Sequence, residues 1–110
     1  MSANTVKIYR THNAIHILMG IFDSVGHPLP EKWSEFFLTG ASTWASIPEA
    51  DRCSSGTIAF VMSRRDAKAL RNRAHKAVRA FINEYGKGYE EDEILERLRD
   101  DLDRATAQVA

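Results

Sequence analysis

The chain has 110 residues, fifteen basic and fifteen acidic side chains that cancel, 44% hydrophobic residues and one cysteine. That length suits one domain with one core, and the balanced charge argues against a molecule that binds polyanions over its whole surface. A single cysteine excludes an internal disulfide and a cysteine-based zinc site. It points to a reducing compartment, the cytoplasm.

The N-terminus, Met-Ser-Ala-Asn, lacks the basic and then apolar pattern of a signal peptide. Thr5 to Arg10 alternates Val6 and Ile8 with Lys7 and Tyr9, the period of a half-exposed strand. Thr11 or Asn13 then suits a helix cap, and Ile15, Leu18, Met19, Phe22 and Val25 recur on one side of the helix preferred here, with a buried strand through Ile15 to Phe22 as the competing reading. The run from Ile17 to Phe22 is interrupted by Gly20 and is far too short to cross a bilayer.

Gly-His-Pro-Leu-Pro at 26–30 forces a turn, and Pro30 is placed as the first residue of a second helix, with Glu31 near its positive end. Trp33, Phe36, Phe37, Gly40, Trp44 and Ile47 fall on one face of that helix. Gly40 sits inside the apolar stripe, so another backbone is expected to approach closely there. Pro48 ends the segment, and Glu49 to Gly56 reads as a loop. Thr57 to Met62 is unbroken by polar residues and reads as a buried strand.

Ser63 resembles an N-cap, with Asp66 three residues on as a capping-box partner. From Ser63 to Tyr85 the sequence predicts one long amphipathic helix. Ala67, Leu70, Ala74, Ala77, Val78, Phe81 and Tyr85 form its apolar side. Arg64, Arg65, Lys68, Arg71, His75, Lys76 and Arg79 form a basic side. Gly86-Lys87-Gly88 stops the helix, with Gly86 at the left-handed C-terminal position. A last helix begins near Tyr89, with Ile94, Leu95, Leu98, Leu102, Ala105 and Val109 inward and acids crowding its first turns. The expected fold is α+β, a helix-dominated single domain over residues 1–110, with two short strands, about four helices and a final antiparallel helical hairpin. The strands pair with each other or with those of a second copy.

The strand–helix–loop–helix order of Thr57 to Leu102 is similar to that of ribbon-helix-helix DNA-binding proteins. In those the outward strand residues are polar base readers, whereas Thr57, Ala59 and Val61 here alternate with Ile58, Phe60 and Met62. The first helix is also too long, and the match fails.

Two charged faces are the candidate binding surfaces. Arg64, Lys68, Arg71, His75 and Arg79 lie in a file of roughly 22 Å. Asp92, Glu93, Glu96, Asp100 and Asp103 oppose the apolar side of the last helix. With both apolar sides turned inward, both charged sides are expected to face solvent. The basic file suits an acidic protein partner. It also suits a phosphate backbone, but aromatic residues that would stack on bases are absent from that face. The acidic file suits a second copy's basic side or a nucleoprotein's basic groove.

His12 and His16 have the spacing that lets two imidazoles share a metal on a helix, but Asn13 stands where a metalloprotease helix carries its glutamate. Cys53 follows Asp51 and Arg52 without a local base to activate it. Gly86-Lys87-Gly88 lacks the spacing of a phosphate loop. The expectation is therefore a non-enzymatic protein-binding regulator, adaptor or inhibitor without cofactor or metal and away from membranes. Nucleic-acid binding by the basic helix is the alternative.

Overall fold

A computed structural model describes residues 4–48, 51 and 56–107. Six elements follow in order: β1 (Thr5–Thr11), α1 (His12–Ser24), α2 (Glu31–Ser46), β2 (Thr57–Ser63), α3 (Arg64–Tyr85) and α4 (Glu90–Ala107). The α+β architecture with a closing helical hairpin is thus the one the sequence predicts.

The two strands pair antiparallel over their whole length, with Ile8 opposite Phe60 and Val6 opposite Met62. Alternation does the rest, because successive strand side chains point to opposite faces. Val6, Ile8, Ile58, Phe60 and Met62 are buried against the helices, while Lys7, Tyr9, Ala59 and Val61 are exposed. The apolar run of β2 therefore differs from the fully buried strand expected of it. Helices cover only one side of the sheet, so Val61 stays half exposed.

The helix boundaries follow local chemistry. Thr11 accepts a hydrogen bond from the Ala14 N–H and caps α1. Pro30 holds the N-cap position of α2, one place before the first helical residue expected for it. Ser63 accepts from the Asp66 N–H at 3.0 Å and caps α3. The Asp66 carboxylate itself lies 3.6 Å from the Lys32 ammonium on α2. Gly86 ends α3 at φ +87° and ψ −169°. That is not the left-handed helical well but a neighbouring region open essentially to glycine alone.

The core gathers the predicted stripes. Ile15, Leu18 and Phe22 of α1, Trp33 and Phe37 of α2, six residues of α3 and Leu95, Leu98 and Leu102 of α4 form one cluster. A close approach does occur at Gly40, but by a side chain rather than a backbone, since a Cβ there would lie 2.5 Å from the Phe60 ring. Tyr85 departs from the expectation. It ends the apolar stripe of α3 yet is 46% exposed, because the stripe runs past the end of the core. Val109 and Cys53 lie outside the described residues. No helix among the described residues is long and apolar enough to cross a membrane.

Candidate functional site: the charged hairpin

α3 and α4 pack antiparallel, so the start of α3 lies beside the end of α4. The basic side of α3 is wide, and this pairing divides it in two. At 100° per residue, Arg64, Arg71 and His75 fall on the flank nearest α4. Arg65, Lys68, Lys76 and Arg79 fall farther round, on the crest of the helix, and all four are exposed.

The flank residues are engaged by their own chain. Arg64 donates to the Thr106 carbonyl at 3.3 Å. That carbonyl is in the last turn of α4, where helix carbonyls lack intrahelical donors and the dipole is negative. Arg71 donates to the Thr106 hydroxyl at 3.2 Å, and the hydroxyl donates to the Leu102 carbonyl at 2.7 Å. His75 Nε2 stands 2.8 Å from the Asp103 carboxylate, with both side chains about two-fifths exposed. The expectation that both charged sides face solvent is corrected along this seam. Side chains long enough to cross the helix–helix groove reach the partner helix instead of water.

Arg10 joins the same cluster from β1. Its guanidinium pairs with the Asp101 carboxylate and reaches toward the Arg97 carbonyl, and its side chain is only 9% exposed. Arg10 is a site residue that sequence alone left unassigned. The signal was present, since the alternation that buries Val6 and Ile8 carries Arg10 to the same face.

The acidic file is also divided. Asp92 is 3% exposed and accepts a hydrogen bond from the Tyr89 N–H at 2.6 Å. It is a helix-capping residue rather than a docking one, the reaching-back half of a capping box. Glu96 stands 3.7 Å from Arg99 and 4.0 Å from Lys87, and Asp100 stands 2.9 Å from Arg99. Glu93 is exposed with Glu90 and Glu91 at the start of α4, where acids oppose the positive end of the dipole.

What remains outward is the crest of α3. No acidic side chain among the described residues lies within ion-pair distance of Arg65, Lys68, Lys76 or Arg79. From Arg65 to Arg79 the crest spans about 21 Å. Lys68 has Arg64, Arg65 and Arg71 three or four residues away, the spacing at which like charges repel on a helix.

His12 and His16 do approach each other, with ring centroids 4.7 Å apart, and His12 stacks on Trp44 at 5.2 Å. No group of three or more possible metal ligands forms among the described residues. No protein-family model, curated protein or solved structure matches the chain.

Proposed function

We propose that this protein is a non-enzymatic binding protein, a regulator, adaptor or inhibitor, that docks an acidic protein surface on the crest of α3. The bare crest carries the reading. Folding places four cations side by side without a carboxylate of the described chain to answer them, although a carbonyl, a hydroxyl and a carboxylate of α4 engage the neighbouring flank. An acidic partner relieves that repulsion, and charges of this kind govern encounter rate and partner choice more than raw affinity. The aromatic side chains of the hairpin end lie off the crest, which favours a protein over single-stranded nucleic acid. A second copy presenting Glu90 and Glu93 is one form such a partner takes. The sole cysteine suits this role to a reducing compartment such as the cytoplasm.

The test compares wild type with a variant carrying Arg65→Glu, Lys68→Glu, Lys76→Glu and Arg79→Glu. Affinity capture followed by mass spectrometry is expected to return acidic partners for wild type and to lose them for the variant. Identical partner sets would end the proposal. Fluorescence anisotropy with duplex and single-stranded oligonucleotides covers the rival reading, which requires affinity that falls steeply with salt.

A further inference from the structure

An open cleft of about 440 Å³ lies where α1 ends against the turn of the hairpin. Ile17 and Ile21 line its α1 side together with Gly20, and a Cβ on Gly20 would meet nothing within 4 Å. The hairpin supplies three aromatic rings. Phe81 is buried, with the Tyr85 ring 4.9 Å away at 46° and the Tyr89 ring 6.3 Å away at 75°. Tyr85 and Tyr89 are both about half exposed, an unusual position for two large rings beside an apolar cleft. Glu91 completes the lining.

Negative potential predominates here, since the one cation of the hairpin turn, Lys87, is directed to Glu96 at 4.0 Å. Ser24 and Tyr85, the last residues of α1 and α3, both line the cleft, so the negative ends of two helix dipoles converge on it. Neither helix has a basic residue in its last turn to offset that charge. The positive end of α4 is also near, but Glu90, Glu91, Asp92 and Glu93 occupy its first turn. Aromatic rings suit such a place, since the quadrupole of a ring attracts a cation that meets its face.

We propose that this cleft binds a compact organic cation, an alkylated ammonium group. Tyr85 and Tyr89 contribute cation–π contact, Glu91 supplies the counter-charge, and the α1 side receives the alkyl substituents. A bare ammonium or metal ion is a poorer match, because Ile17, Ile21 and Phe81 offer it nothing in exchange for its hydration shell. A neutral apolar ligand leaves the charge of the site unanswered. The cleft shares no residue with the crest of α3, so its occupancy does not depend on the docking role.

NMR titration of the whole protein tests this with choline, its neutral isostere 3,3-dimethylbutanol, and a peptide bearing trimethyllysine. Saturable shifts centred on Gly20, Tyr85 and Tyr89 are expected with choline or the peptide, and the better binder identifies the group as free or protein-borne. The neutral isostere should bind at least about fivefold more weakly, and Tyr85→Ala and Tyr89→Ala should each weaken the cation by about fivefold. Both rings are half exposed, so these variants retain the core, and far-ultraviolet circular dichroism verifies the fold. Gly20→Leu, which fills the cleft from an open helix surface, should abolish binding. Absence of saturable shifts with both cations, equal binding of the isostere, or full binding by Gly20→Leu would overturn the assignment.

Discussion

Two sets of basic side chains on this molecule meet opposite fates. Arg10, Arg64, Arg71 and His75 all end on the last turns of α4, against Asp101, Asp103 and Thr106. Arg65, Lys68, Lys76 and Arg79 end in water. Residue type does not separate the sets, because arginine occurs in both. Angular position does. A basic side chain within reach of the neighbouring helix finds a carboxylate, a hydroxyl or an orphan carbonyl there, and one turned some tens of degrees farther does not. A basic helix face is therefore a poor unit for functional reasoning until the packing of the helix is known.

The contrast is sharpened most by Arg10. Arg10→Ala leaves Asp101 near the strand without its guanidinium and removes packing beneath β1. It is expected to destabilise the protein by about 2 kcal/mol, below the range for breaking a fully buried pair, since Asp101 is 34% exposed and keeps Arg104 at 3.4 Å. Chemical denaturation measures this, and a loss under 1 kcal/mol would show that the pair is no anchor. Arg71→Ala comes next, at about 1 kcal/mol for a hydrogen bond to a buried hydroxyl. A double-mutant cycle with Thr106→Val isolates that contact, and a coupling near zero would place Arg71 with the crest residues.

The smallest effect has the opposite sign. Lys68→Glu turns three like-charge neighbours into attractive ones, so stability should rise by about 0.5 kcal/mol. The same change should weaken binding of an acidic partner. A fall in stability would mean that Lys68 is held by a contact of its own, and the crest would then resemble the flank.

Much of the fold was legible because its signals are local. Thr11 and Ser63 cap helices through their own hydroxyls. Gly86 terminates α3 because few other residues tolerate its backbone angles, and the stripes of α3 and α4 repeat over enough turns to fix which side is buried. Gly40 was legible as a close approach, though by a backbone and not by the Phe60 ring. The candidate site was harder to read. Asp92 looks like any acid in an acidic run, yet one hydrogen bond back to Tyr89 removes it from the surface. Glu96 and Asp100 look outward by periodicity but pair with Arg99 on their own helix.

By itself, then, the sequence determined the order of the elements, the buried side of each helix and the turn that makes the hairpin, since periodicity, capping and glycine act within a few residues. Only the tertiary structure decided which charges are spent inside the molecule, that β2 is covered on one face alone, and that Tyr85 and Tyr89 flank an open cleft. Those outcomes depend on how far a side chain reaches across a groove to a residue up to 91 positions away, as Arg10 reaches Asp101. No local pattern encodes that distance.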